Sequence, residues 1–252
     1  MLSRDLTKQI IYYLLNDENV LDKTLSGIEK YTLESSQKKN LLDRWNKSNF
    51  SDYSVYNDKD YQWDLVNCYL AVSRESILRS VKYLKDNVNN YSELSVFDDY
   101  NGNGLTTLLL SSLGFNDISY YNSVDFQIEA LNNICEKYSL NKPKLDINRS
   151  NQYDVFIGLE CIEHFKKPSD YLDSIMHMVK DGGYLFLTFN GFQWTPEFSI
   201  GHFYEYETVE GDLVNGTKIR KLLMKQLNDN GFKLVKKACW NANPQLFIKS
   251  IK

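Results

Sequence analysis

The sequence predicts an α/β fold with a mostly parallel sheet over residues 93–252, preceded by a helical extension over 1–92. Three observations predict it. From residue 93 onward short apolar runs alternate with helix-forming stretches, the pattern of crossover units in a parallel sheet. The apolar run Leu94 to Phe97 ends in Asp98 and passes through a turn containing Gly102 and Gly104 into helix-forming sequence from Leu105 to Leu113. A strand, a glycine turn and a helix in that order bring backbone close to a nucleotide-like ligand, because glycine lacks Cβ and allows positive φ. Finally, two apolar runs joined by Asn241-Ala242-Asn243-Pro244 predict a terminal antiparallel hairpin.

In chain order, Ile10, Ile11, Leu14 and Leu15 repeat at helical spacing, as do Ile77, Val81 and Leu84. Between them, Asn49 to Trp63 is rich in Tyr, Asp, Asn and Ser and reads as a loop. Strands are expected at 93–98, 118–124, 143–147, 153–159 and 183–189, and helices at 105–113, 126–138 and 169–180. For the last of these, Ser169 caps the start after Pro168, and Leu172, Ile175, Met176 and Val179 share one face. Asp181-Gly182-Gly183 is expected to end it. A final helix, about 217–229, places Ile219, Leu222, Leu223 and Leu227 on one face, with Gly231 beyond its end; strands 232–240 and 245–251 follow. There is no internal repeat.

The 252 residues suffice to bury a sizeable core, and 42% hydrophobic and 25% charged residues are ordinary for a globular chain. A net charge of −4 argues against broad electrostatic binding to nucleic acid, which needs clustered Lys and Arg. Cys68, Cys135, Cys161 and Cys239 form no C-x-x-C pair, so neither a zinc ribbon nor a redox dithiol is indicated. Met1 to Asn16 lacks a signal-peptide layout, and no apolar run approaches a membrane span, so a cytoplasmic protein is expected.

In open parallel sheets the ligand lies beyond the carboxyl ends of the strands. The first strand offers Asp98 and the turn. Asp125 follows the second apolar run, where it would accept ribose hydroxyls or simply cap a helix. Thr107 stands where a dinucleotide fingerprint wants Gly or Ala, which disfavours NAD. After the fourth strand, Glu160-Cys161-Ile162-Glu163-His164 gathers two carboxylates and an imidazole within five residues. Oxygen and nitrogen donors of this kind suit Mg²⁺ or Mn²⁺, and the imidazole alone suits proton transfer. His177 falls opposite the apolar stripe of its helix and reads as a surface residue.

Asp98, the glycine turn and Asp125 resemble the S-adenosylmethionine (SAM) site of class I methyltransferases. The resemblance covers roughly 93–252. It implies a Rossmann-like sheet with a C-terminal antiparallel hairpin, an N-terminal helical cap and SAM as cofactor. Asp98, Tyr100, Asn101, Gly102 and Gly104 would surround the methionine end, Asp125 would hold the ribose, Phe126 and Asp146 would border the adenine, and Leu159 would be a further cofactor contact. One departure is plain: Tyr100 stands where the family has glycine. Glu-x-x-Glu-His resembles two groups, the ubiquinone-biosynthesis catechol-type O-methyltransferases and the small-RNA 3′-terminal 2′-O-methyltransferases. In the latter these residues hold a divalent metal with a further histidine after the fifth strand, a place His202 would fill. The resemblance thus implies Glu160, Glu163 and His164 as catalytic residues, with Glu160, Glu163, His164 and His202 as metal ligands if a metal is used. The aromatic-rich segment 191–216 would cap the acceptor through Trp194, Tyr204 and Tyr206, with Tyr53, Tyr56, Tyr61 and Trp63 as the opposite wall. The Asn/Asp-Pro-Pro-aromatic motif of base-directed amino methyltransferases is absent, and Cys161 has no Pro before it. The expected reaction is O-methylation of a small hydroxylated metabolite. The alternatives are methylation of an RNA 3′ end and a catalytically degenerate SAM-binding partner subunit.

Overall fold

A computed structural model of the chain describes residues 35–58, 81–100, 104–137, 139–149, 151–197, 200–236 and 244–251. Helix α1 (Ser35–Lys47), a 3-10 turn (Tyr53–Asn57) and a helix over 81–87 come from the N-terminal part. Then follow β1 (Ser95–Asp98), α2 (Leu105–Ser112), β2 (Asp117–Tyr120), α3 (Asp125–Lys137), β3 (Lys144–Leu145) and β4 (Tyr153–Gly158). The chain continues through α4 (Pro168–Met176), β5 (Val179–Leu187), a small ribbon of β6 (Tyr206–Glu207) and β7 (Leu213–Val214), α5 (Gly216–Asp229), β8 (Phe232–Lys236) and β9 (Gln245–Lys249).

Seven strands form one sheet in the order β3-β2-β1-β4-β5-β9-β8. The first five are parallel, with Val96 opposite both Ile118 and Val155, and β9 runs antiparallel between β5 and β8. A parallel sheet is covered on both faces, so its central strands read as unbroken apolar runs. In β4 the side chains alternate between two cores. Val155 and Ile157 join Val96, Phe186, Leu108 and Leu109 of α2 and Leu131 of α3. Phe156 joins Phe97, Leu185, Leu172 and Ile175 of α4, and Ile219 and Leu223 of α5. Trp45 of α1 is fully buried in this second core, its ring 5.7 Å from that of Phe203, so the N-terminal extension packs on the segment after β5.

Several boundaries differ from those expected. Strand β3 is shorter, and the described part of β8 ends at Lys236. Ser169 does not cap the fourth helix, because Pro168 already occupies its first turn, Lys167 is the N-cap and the Ser169 hydroxyl bonds nothing among the described residues. The fourth helix stops at Met176, and Val179, expected on its apolar face, instead opens β5 opposite Tyr153. Gly182 and Gly183 lie inside the strand rather than ending a helix. Gly182 has φ +76°, and a Cβ on Gly183 would stand 2.9 Å from the Lys180 carbonyl oxygen, so the pair accommodates the register shift between Tyr153 and Val155. Likewise β2 ends at Tyr120, not Val124, because the Val124 N–H donates to Asn122 Oδ1 in a side-chain-closed turn. The terminal strands pair as a hairpin requires; their connection, with Asn241 to Asn243, lies outside the described residues, as do Ile10 to Leu15, Ile77, Tyr61 and Trp63. Among the described residues no helix is long and apolar enough to cross a membrane.

Candidate active site

The carboxyl ends of β1, β2 and β4 meet at the two consecutive acids Asp98 and Asp99. Both are buried. Asp98 turns toward α2, where the Thr107 hydroxyl donates to its Oδ2 at 2.6 Å. Burial raises its carboxyl to about 7, more than the Thr107 bond lowers it. Asp99 Oδ2 accepts from Arg149 Nη2 at 2.6 Å and from the Tyr171 hydroxyl at 2.7 Å. Burial still raises Asp99 to about 6 against the pull of Arg149.

Tyr100 takes φ +46°, a left-handed backbone that costs a non-glycine residue about 1–3 kcal/mol. Its ring packs edge-on against Tyr121 at 4.9 Å and Phe165 at 5.6 Å. Gly104 caps α2 at φ +80°, where a Cβ would meet Leu131 at 2.8 Å, so glycine serves both conformation and close packing. Asn101, Gly102, Trp63 and the Phe126 side chain lie outside the described residues. Asp125 is exposed at the first turn of α3, five residues past the end of β2. Asp146 accepts from its own loop, through the N–H groups of Asn148 and Arg149, and from the Tyr153 hydroxyl at 2.7 Å. Burial opposes, but the Tyr153 and loop bonds hold its carboxyl below the ordinary value. Leu159 is half-buried against the α2–α3 core.

The second cluster lies beyond β4 and β5. Glu160 is exposed, takes φ +53°, and donates its N–H to Thr188 Oγ1. A 3-10 turn, Ile162–His164, then swings Glu163 inward to full burial. Among the described residues neither Glu163 carboxylate oxygen has a hydrogen-bond partner, and burial first, the Glu160 charge second, push its carboxyl well above the ordinary range. Gly191 makes room for it: a Cβ there would overlap Glu163 Oε1. The His164 ring lies 4.7 Å from that of His202, and the Tyr56 hydroxyl sits 3.0 Å from His164 Nδ1. Burial, with the second imidazole adding to it, lowers His164 to about 3; burial lowers His202 to about 4. Both imidazoles are therefore neutral at pH 7. His202 Nδ1 is buried without a partner among the described residues, while its backbone carbonyl accepts from Trp45 Nε1 at 3.1 Å. Among the described residues no group of three or more His, Cys, Asp or Glu side chains stands in a metal-holding arrangement.

The fold thus brings together the rings of His164 and His202, 38 positions apart in the chain, and sets the Glu163 carboxylate against Gly191. Trp194 and Tyr204 are exposed, the latter donating to Glu197, whereas Tyr206 is fully buried and donates to the Glu163 carbonyl. His177 is exposed, as expected. Sequence reasoning missed Asp99, Tyr121, Arg149 and Tyr171. A second acid directly after Asp98 was the available signal for Asp99; nothing local marked Arg149, whose partner is 50 residues away.

No family model matches the chain. The ubiquinone biosynthesis O-methyltransferase of Rickettsia bellii, in two strains, is 26% identical over 155 residues. That alignment takes in 59% of this chain, and the chain spans about 61% of the length of those curated relatives. Among solved structures, an O-methyltransferase family protein from Burkholderia thailandensis superposes with a TM-score of 0.55 at 15% identity, over 86% of this chain and 71% of that one. The chain has the class I methyltransferase fold. In that fold the antiparallel β9 inserted between β5 and β8 closes one side of the sheet, while β1, β4 and β5 aim their carboxyl ends at one crevice. Both acidic clusters of this methyltransferase-fold chain stand on that edge.

Proposed function

We propose that the chain is a SAM-dependent methyltransferase that transfers a methyl group to an oxygen of a small hydroxylated metabolite. The observation that carries this reading is the pair of facing imidazoles, half-buried His164 and buried His202, with buried Glu163 next to His164 in the chain, beside the β4 end of a methyltransferase fold. The similarity to the ubiquinone biosynthesis O-methyltransferases supports an oxygen acceptor. In the reaction the acceptor oxygen attacks the methyl carbon in line, the carbon–sulfur bond breaks as the carbon–oxygen bond forms, and the hydroxyl proton leaves. The electrophile is already activated on the sulfonium, so the protein's task is alignment and one proton.

Tyr56 engages His164 at Nδ1, which leaves Nε2 for the acceptor hydroxyl. A neutral imidazole accepts that hydrogen bond; Asp98, Tyr100, Asn101, Gly102, Gly104, Asp125, Phe126, Asp146 and Leu159 are the proposed cofactor contacts. Segment 191–216 covers the acceptor, with Trp194 and Tyr204 presenting exposed rings.

As the alternative to direct proton acceptance by His164, the proposal includes a divalent ion such as Mg²⁺ or Mn²⁺, which Glu160, Glu163, His164 and His202 would hold. Two orphaned Glu163 oxygens and the orphaned His202 Nδ1 fit it chemically, although the donors do not stand in a ligating arrangement as they are. When bound, such an ion lowers the pKa of a coordinated hydroxyl. The test is transfer of labelled methyl from SAM to a panel of catechols and related phenols, with and without EDTA. Label on oxygen, with release of S-adenosylhomocysteine, is expected. Methylation at nitrogen or carbon alone would overturn the acceptor assignment, and full turnover in EDTA would overturn the ion.

One observation favours a second reading. The Tyr100 ring packed across the ends of β1 and β2 suits a SAM-fold subunit that binds cofactor without turning it over. Saturable SAM binding with no product from any acceptor would select it.

A further inference from the structure

We propose that Tyr56, in the N-terminal extension, is a positioning residue: its hydroxyl holds His164 in the tautomer with Nδ1 protonated, so that Nε2 carries the open lone pair. Its effect on turnover rests on the methyl-transfer reading above; the tautomer does not.

Tyr56 stands 108 positions before His164, on an element that is not part of the sheet. The 3-10 turn Tyr53–Asn57 is fixed from two sides. On the inner side Val55 is fully buried, in one core with Leu41 and Trp45 of α1. On the outer side Arg44 of α1 spans the turn. It donates to Asp58 Oδ2 at 2.6 Å, to Ser54 Oγ at 3.1 Å and to Asp52 Oδ2 at 3.4 Å. Asp52 in turn caps the start, its Oδ1 accepting from the Ser54 N–H at 3.1 Å. A residue held between a buried valine and this ion pair has its direction set before it meets the imidazole.

Gly201 closes over the contact. A Cβ there would stand 1.9 Å from the Tyr56 hydroxyl oxygen and 2.2 Å from His164 Nδ1, against 3.0 Å from Cε1. Residue 201 therefore abuts the Nδ1 side of the ring, and any side chain on it would part the tyrosine from the histidine.

The same glycine decides which group carries the proton. Its backbone makes a hydrogen bond that favours the protonated ring, against the larger effect of burial. A backbone group with that effect is a carbonyl, which accepts only. Burial also pushes the Tyr56 hydroxyl well above its ordinary range, so it stays a neutral phenol, able to accept. On this side the ring thus meets two oxygens that can both take an N–H. A bare Nδ1 would set its lone pair against the carbonyl. In histidine the partner of one ring nitrogen determines the state of the other. With Nδ1–H engaged, Nε2 is left as the acceptor.

Nitrogen-15 spectra of the full chain labelled in its imidazoles test this without substrate or cofactor. The chain has only three histidines, and protonated and bare ring nitrogens resonate far apart. Wild type at pH 7 is expected to show His164 with Nδ1 protonated; loss of that signal in His164→Gln assigns it. Tyr56→Phe keeps the ring and removes the hydroxyl, so the signal should move toward the Nε2–H tautomer, which free histidine favours in water. Gly201→Ala, with the tyrosine in place, should do the same. In methyl transfer Tyr56→Phe should lower kcat by about 10- to 100-fold, with KM for SAM within about twofold of wild type. An Nε2–H ring in wild type, the same tautomer in wild type and Tyr56→Phe, or an unchanged kcat in Tyr56→Phe would each overturn the inference. Should either variant melt early, the wild-type signal decides on its own. A wild-type chain with the expected tautomer that methylates no acceptor would overturn the methyl-transfer reading and leave the tautomer assignment standing.

Discussion

The ends of β1 and β4 present two buried acidic clusters that treat charge differently. At β1, Asp98 Oδ2 has Thr107 and Asp99 Oδ2 has Arg149 and Tyr171, so each acid is anchored through one oxygen within the protein. At β4, Glu163 is more deeply enclosed and has no hydrogen bond on either oxygen, beside two imidazoles that burial keeps neutral. The contrast separates two acids that are each anchored through one oxygen from an acid with neither oxygen partnered among the described residues. Buried polar atoms are almost always partnered in native proteins. Three orphans in one cluster, both Glu163 oxygens and His202 Nδ1, therefore mark where chemistry is expected.

The largest expected effect falls on the β4 cluster. His164→Ala should lower methyl transfer by about 10²- to 10⁴-fold, with affinity for S-adenosylhomocysteine unchanged. Equal loss of binding would merge the two regions into one site and end the comparison. Next is Trp45→Ala. It empties a fully buried indole position and removes the donor to the His202 carbonyl, so urea unfolding should show a loss of about 3–5 kcal/mol. A loss below about 1 kcal/mol would mean that the N-terminal extension does not support the β4 cluster.

The acids themselves separate by pH. Asp98 is raised by burial from 3.8 to about 7, so the unfolded state ionises first and stability is lost as pH climbs through that interval. Asp98→Asn should remove this loss. Its stability relative to wild type should rise by roughly 2–4 kcal/mol between pH 4 and 7, then level off. Glu163→Gln has the same sign, since burial and Glu160 raise Glu163 as well, but here the gain comes with lost turnover. Denaturant titrations at four pH values read both. A flat difference for either variant would show that its carboxyl ionises as it does in the unfolded chain. The smallest effect belongs to Tyr204→Ala on the exposed cap. Stability should change by under about 0.5 kcal/mol, while KM for the acceptor rises and kcat holds.

How much of this was legible in the sequence follows from distance along the chain. Glu160, Glu163 and His164 lie within five residues past a strand, so their place beyond β4 could be read directly, and the aromatic segment containing His202 was recognisable by composition. The sheet was legible because β1 and β4 are continuous apolar runs. The end of the helix at 169–180 was not. Val179 continues the helical apolar spacing, but its pairing with Tyr153 and the close backbone at Gly183 belong to the sheet, and tertiary pairing outweighed local pattern. The Asp99–Arg149 pair left no sequence trace for a similar reason. A lone arginine in a short polar loop acquires meaning only when the parallel order of β1, β2 and β4 carries it to an acid on another strand.

Calorimetric titration of the full-length chain with S-adenosylhomocysteine tests the central claim most directly, because every assignment at either cluster presupposes that nucleoside on the carboxyl edge of the sheet. Saturation at one ligand per chain, weakened by Asp98→Asn and indifferent to His164→Ala, is the expected result. Absence of any binding at millimolar ligand by a chain that still unfolds cooperatively would contradict it.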